Sequence, residues 1–262
     1  MLDALSPARR RLVLLVAAGA TLGVVLVASL VAVRLSRDRV RPVSQADPGP
    51  VLLVSGYGGS TRSLEPLRRA LQAAGRDVVV VPPVQAGTGD ITTQAAALGR
   101  RARAAARRFS SPSVDVVGYS AGGVVARAWV RDYGGASLAR RVLSLGSPQH
   151  GTDLAELAVG IGGRCPAACR QLEPDSTLLR RLNARDETPR GPRFVSVWST
   201  ADQVVIPPGS ARLAGALDFT VQSVCPGART QHGDLPSDPV VLAALRTTLG
   251  EGPAHPPTGV RC

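Results

Sequence analysis

Six short apolar, largely β-branched runs recur along the chain, at Val51–Val54, Val78–Val81, Val114–Val117, Val142–Leu145, Phe194–Trp198 and Phe219–Val224, with stretches of helical spacing between them. Short runs apolar on both faces predict buried strands, and their alternation with helices predicts a doubly wound, mostly parallel α/β sheet with helices on both faces. Between the second and third runs, helical spacing puts Ile91, Ala95, Leu98, Ala102, Ala105 and Phe109 on one side and Arg100, Arg101, Arg103, Arg107 and Arg108 on the other. This predicts an outer helix with a solvated arginine face. A last helix is expected over Pro239–Leu249, capped by Ser237 or Asp238.

The N-terminus follows a different pattern. After Arg9, Arg10 and Arg11 the chain runs from Leu12 to Val33 without a charge, and Arg34, Arg37, Arg39 and Arg41 follow. As a helix this run is about 33 Å long, enough to cross a bilayer core. It exceeds the usual apolar region of a cleaved signal, so it is read as a transmembrane signal anchor, with secretion after cleavage at Val27-Ala28-Ser29 as the alternative. The expected organisation is a cytoplasmic N-terminus (1–11), the anchor (12–33), a Pro/Arg-rich linker (34–50), the α/β domain (51–249) and a Pro/Gly-rich tail (250–262). Gly19 and Gly23 have the small-residue spacing of paired membrane helices, which allows a weak homodimer.

Arginines flank both ends of the apolar run, so orientation is read from the cysteines. Cys165, Cys169, Cys225 and Cys262 all lie beyond it, in even number and without a paired C-x-x-C and histidine pattern. That favours disulfides in an exported domain over a zinc site and places the α/β domain outside the membrane. Of the three pairings, Cys165–Cys169 with Cys225–Cys262 is preferred.

Every one of the 31 basic residues is arginine, and the net charge is +12. Seven arginines against Asp3 and Asp38 give +5 to the first 42 residues and leave +7 for the rest. Three Phe, three Tyr and two Trp provide little for stacking, and no recognised binding module appears, so nucleic acid is excluded as a partner. Attraction to anionic lipids or envelope polymers is compatible with this charge.

The chemistry concentrates at Val114-Asp115-Val116-Val117-Gly118-Tyr119-Ser120-Ala121-Gly122-Gly123, where a buried strand gives way to a helix. Gly118 and Gly122 flank Ser120 and remove side chains that would collide at a sharp turn, the form of a nucleophile elbow. An activated serine needs a base, and only three histidines are available. His150 comes too early and His255 lies in the tail; His232 falls between the last strand and the last helix. The acid belongs at the C-terminal end of a strand between Ser120 and His232, which selects Asp202, after Phe194–Thr200. Oxyanion donors are expected at the N–H of Ala121 and, from Ser55-Gly56-Tyr57-Gly58-Gly59-Ser60, at the N–H of Tyr57. This chemistry requires no metal and no organic cofactor.

From Val51 to Leu249 the residues resemble the α/β-hydrolase superfamily, and within it the small exported lipases and esterases of bacteria, of the class 2 triacylglycerol lipase type found in high-GC Gram-positive bacteria. The resemblance rests on Ser55–Gly59, on Gly118–Gly123, on Leu145-Gly146-Ser147-Pro148-Gln149-His150-Gly151-Thr152, on Asp202 with Val204-Val205-Ile206-Pro207, and on His232 before Leu235-Pro236. It implies ester hydrolysis by Ser120, His232 and Asp202, with Tyr57 and Ala121 at the oxyanion. Many relatives carry His-Gly where this chain has Ser55-Gly56, and that histidine usually supports the oxyanion loop. His150 matches a histidine beside the relatives' site and is read as a pocket wall.

About forty residues, Thr152–Arg193, separate two core strands, so the cap is expected to be minimal. Ala155, Leu157, Ala158, Val159 and Ile161 are candidates to line an acyl pocket, and the expected substrate is an acyl ester or lipid. The same triad would serve a cell-envelope acyltransferase or a serine peptidase. A tethered non-catalytic binder is the alternative from another class.

Overall fold

The computed structural model describes residues 7–37, 40–153 and 165–262. The chain divides into two compact units, Met1–Arg41 and Pro42–Cys262. Within the first unit, helix α1 spans Pro7–Arg37. Its apolar side chains over 15–29 are exposed, Leu15 at 71% and Val24 at 69%. Among the described residues no helix is long and apolar enough to cross a membrane. The span expected at 12–33 is therefore seen as helical backbone only. Side chains at 9–14 and 30–37 lie outside the description, and the remaining stretch is shorter than the ~20 apolar residues a bilayer core requires.

The second unit is built on six parallel strands: β1 (Val51–Val54), β2 (Val78–Val80), β3 (Val114–Tyr119), β4 (Ala139–Leu145), β5 (Arg193–Trp198) and β6 (Leu217–Thr220). Their order is β2-β1-β3-β4-β5-β6, every neighbouring pair parallel. The connecting helices are α2 (Glu65–Ala73), α3 (Ile91–Arg108), α4 (Ala121–Asp132), α5 (Ala167–Gln171), α6 (Thr177–Asn183), α7 (Val221–Val224) and α8 (Pro239–Leu249). They make two apolar layers. Leu98, Val124, Trp129 and Leu179 pack on one side of the sheet, while Leu67, Leu71, Leu235 and Leu245 pack on the other. This is the doubly wound arrangement expected from the alternating pattern.

Helix α3 shows how the sequence builds each layer. Asp90 accepts from Thr93 N at 2.8 Å to cap it. Ile91, Ala95, Leu98, Ala102 and Ala105 are buried against the sheet and α4, and the five arginines are exposed, while Phe109, expected on the buried side, caps the helix C-terminus and is half-buried.

The boundaries that differ most from the pattern are those of the last strand and of β4. The last strand was expected to reach Val224, but it stops at Thr220, whose hydroxyl accepts from Ser223 N at 2.9 Å and starts α7. A side-chain oxygen capping three residues ahead outcompetes the β-branched alternation. Strand β4 begins three residues before Val142 and includes Arg140 and Arg141, which are buried at 0% and 2%.

Those charges are held at the N-terminal ends of β3 and β4. Arg140 pairs with the fully buried Asp115 at 2.5 Å and Arg76 reaches the same carboxylate at 2.7 Å. Arg140 donates to Leu249 O and Gly250 O at 2.6 and 2.9 Å, and Arg141 to Thr248 O at 2.6 Å. Burial, and then the neighbouring Arg140, push the Arg141 guanidinium below its usual range. The carbonyls compensate cations that water no longer solvates. Disulfides join Cys165 to Cys169 and Cys225 to Cys262, with Cα separations of 5.4 and 5.5 Å.

Candidate active site

Strand β3 delivers Ser120 to the sheet's C-terminal edge, and α4 begins at the next residue. Ser120 has φ 53° and ψ −128°, a conformation that L-residues rarely adopt. Such strain, of order 1–3 kcal/mol, persists only where the surroundings impose it. They do so by close approach. A Cβ on Gly118 would lie 2.5 Å from the Gly122 carbonyl, and one on Gly122 would lie 2.4 Å from Val54 O. The Ser120 N–H donates to Leu145 O at 2.8 Å, which ties the turn to β4.

Asp202 and His232, thirty residues apart in sequence, meet through Nδ1 of the imidazole and Oδ2 of the carboxylate at 2.7 Å. Both are buried, at 5% and 7%. The other carboxylate oxygen accepts from Val204 N and Val205 N at 2.8 and 2.9 Å. An ionised carboxylate only accepts, so Nδ1 carries a proton and donates it, and Nε2 is left as the basic nitrogen. The loop carrying His232 is anchored at both ends. Thr230 donates to Asp238 Oδ2 at 2.6 Å, and Asp238 Oδ1 caps α8 by accepting from Val240 N at 2.8 Å.

Tyr119 completes this support. Its hydroxyl donates to His232 O at 3.0 Å, and the two rings lie 5.1 Å apart. Burial, with the charges of Asp202 and Asp234 nearby, pushes the Tyr119 phenol up to about 12.

Among the described residues, Ser120 Oγ and the N–H groups of Tyr57 and Ala121 have no hydrogen-bond partner. Ala121 is the first residue of α4, where N–H groups are unpaired by construction and the helix dipole is positive. Tyr57 sits on the loop after β1 and is 45% exposed. Gly56 in this loop faces the nucleophile, since a Cβ there would lie 2.8 Å from Ser120 Cβ. The glycines of the Ser55–Ser60 loop were expected to let the backbone approach the site closely, and at Gly56 it does.

His150 stands apart from the acid–base pair. Its Nε2 meets Glu187 Oε1 at 2.9 Å and its Nδ1 meets Ser210 O at 3.2 Å. Burial pushes the Glu187 carboxyl up, but hydrogen bonds from His150 and the Ala214 N–H, with the charge of Arg127, outweigh it and hold the group below its usual range.

Arg127 is the residue that sequence reasoning missed. It is 1% exposed and donates to Leu182 O at 2.6 Å, Asn183 Oδ1 at 2.5 Å, Glu187 O at 2.9 Å and Gln149 Oε1 at 3.2 Å. Burial pushes its guanidinium down to about 10. Its one signal was a charge inside the apolar stretch Ala121–Trp129. It fastens the end of α6 and the segment beyond it to the helix behind the nucleophile.

The acyl-pocket candidates Ala155, Leu157, Ala158, Val159 and Ile161 lie outside the described residues. Among the described residues no three His, Cys, Asp or Glu side chains gather as a metal site requires.

Residues 98–221 match the family model of class 2 lipases, a segment that takes in Ser120 and Asp202 and ends before His232. No curated protein sequence matches the chain. Among solved structures, Aspergillus fumigatus lipase B aligns with TM-score 0.68 and 19% identity over 81% of this chain and 56% of its own. This chain thus spans little more than half of that lipase. Bacillus licheniformis lipase BlEst2 in its mature form aligns with TM-score 0.65 and 17% identity, covering 80% of this chain and 96% of the other. MGS-MChE2, an α/β hydrolase from a lagoon-sediment metagenome, aligns with TM-score 0.51 and 14% identity over 73% of this chain and 85% of its own. At these identities the likeness is one of fold. The chain has the fold shared by these lipases and by the α/β hydrolase MGS-MChE2, and residues 98–221 are similar to the class 2 lipases.

Proposed function

We propose that the chain is a serine-dependent carboxylic ester hydrolase, an esterase or lipase, acting on acyl esters outside the membrane that residues 12–33 enter as an anchor. The observation that carries the reading is the 2.7 Å Asp202–His232 pair at the sheet edge where Ser120 is held in a strained turn. In this mechanism Ser120 Oγ attacks the ester carbonyl as His232 Nε2 takes its proton. Asp202 stays ionised and stabilises the imidazolium. The oxyanion meets the unpaired N–H groups of Ala121 and Tyr57. The imidazolium then gives its proton to the leaving alkoxide, an acyl-Ser120 ester remains, and water activated by His232 releases the acid and restores the serine.

Support for the outside location comes from the disulfides, which persist in oxidising compartments. Support for the anchor comes from the charge-free run between arginines.

The test is labelling of the full chain by a fluorophosphonate, alongside Ser120→Ala and with short and long p-nitrophenyl esters as competing substrates. The label is expected on Ser120 alone, with turnover of the variant lower by about 10⁴-fold or more. Unchanged ester hydrolysis by Ser120→Ala would overturn the assignment.

A further inference from the structure

The outer face of α3 carries an unbalanced charge. Arg100, Arg101, Arg103, Arg107 and Arg108 are all exposed, opposite the buried Ile91, Leu98 and Ala102. Residues 91–112 contain no aspartate or glutamate. Other arginines find carboxylates, Arg68 and Arg69 at Glu65 and Arg181 at Asp132, but among the described residues none of these five does. Arg108 lies 5.1 Å from the centre of the Phe109 ring, an apolar and aromatic neighbour rather than an anion. Like charges at helical spacings of three and four, as at Arg100, Arg103 and Arg107, repel one another until an anionic partner covers them.

A second observation says which partner. The chain enters the catalytic unit at the corner where α3 ends. Ser113, just past the α3 C-terminus, donates to Asp47 O at 3.3 Å, and Gly49 sits so close that a Cβ there would lie 2.0 Å from Ser113 O. The residues arriving there come from the arginine-bearing spacer and the apolar run. Helix α3 also joins two parallel strands, so it runs back along the sheet with its N-terminus at the edge that carries Ser120. Lying flat on a bilayer, this face would bring that edge alongside the lipids.

We infer that the arginine face of α3 docks on the anionic phospholipid headgroups of the membrane that residues 12–33 enter. The inference rests on the proposed anchor and is independent of the ester chemistry. Each bound arginine strengthens the contact about fivefold, and the attraction is screened by salt.

The experiment uses the full chain in lipid nanodiscs of phosphatidylcholine alone or mixed with phosphatidylglycerol. Phenylglyoxal modification is read at each arginine by mass spectrometry, and hydrolysis of a soluble ester is measured in parallel. The five arginines are expected to react about fivefold more slowly or less in the anionic discs, an effect reversed by high salt. Arg62 and Arg246, exposed on other elements, should react alike in both discs. Replacing Arg107 and Arg108 by Glu should restore fast modification of Arg100, Arg101 and Arg103 with ester hydrolysis unchanged. Equal rates in both discs while the chain remains with them would overturn the docking alone. Protection by a soluble polyanion but not by the anionic disc would overturn it in favour of an envelope polymer. Failure of the chain to enter either disc would overturn the anchor and the docking together, and ester hydrolysis would still report on the catalytic reading.

Discussion

The hydroxyl of Tyr119 donates to the backbone carbonyl of His232 at 3.0 Å, so the residue before the nucleophile holds the loop that carries the base. Strand β3 thereby positions both partners of the proposed proton transfer, Ser120 by its turn and His232 by this bond. Replacing Tyr119 by Phe removes one buried hydrogen bond, worth about 1 kcal/mol. The expected result is a kcat about fivefold lower with KM unchanged, because the ester does not touch this bond. A proportional rise in KM with kcat preserved would assign Tyr119 to substrate binding instead.

The same hydroxyl makes stability depend on alkaline pH. Its pKa is raised to about 12 in the folded protein by burial and by the charges of Asp202 and Asp234, whereas an unfolded tyrosine titrates near about 10. Below about pH 10 both states keep the proton, and between about 10 and 12 only the folded state does, so stability falls as pH rises through that window. The loss amounts to about 2 to 3 kcal/mol. Urea midpoints of wild type and Tyr119→Phe, compared at about pH 9 and about pH 11, should fall less steeply in the variant.

Arg127 bridges α4 to the end of α6 and to the segment beyond it through backbone carbonyls. Truncation in Arg127→Ala leaves these acceptors unpaired, and the expected cost is about 3 kcal/mol. Urea unfolding measures it, and amide exchange should accelerate at 182–187. A midpoint equal to wild type would show that the segment is held by other contacts.

The two disulfides close loops of unequal size, with sequence separations of 4 and 37. In the loop-entropy description, Cys262→Ser costs about 4 kcal/mol and Cys165→Ser about 2 kcal/mol. Thermal unfolding of the two variants should rank in that order. The reverse ranking would mean that the Cys225–Cys262 bridge constrains little in the unfolded chain.

Much of this molecule was readable before folding because its signals are local. Alternation of short apolar runs with helical stretches implied the parallel sheet, since strands covered on both faces admit few polar residues. The spacing of Gly118 and Gly122 marked the turn at Ser120, since only glycine fits so near another backbone. The order of elements singled out Asp202 and His232, and the bond between them is a fact of the folded chain.

What tertiary structure decided depends on distance along the chain. The expected strand began at Val142 and left out Arg140 and Arg141, yet carbonyls over a hundred residues away and the buried Asp115 accept them in β4. Arg127 was hidden for the same reason, its partners Leu182 and Glu187 lying 55 and 60 residues further on. The last strand ends early because one hydroxyl, Thr220, prefers a cap to a ladder. Sequence pattern reports what each residue wants from its near neighbours, and only the folded chain shows which distant polar groups make a buried charge affordable.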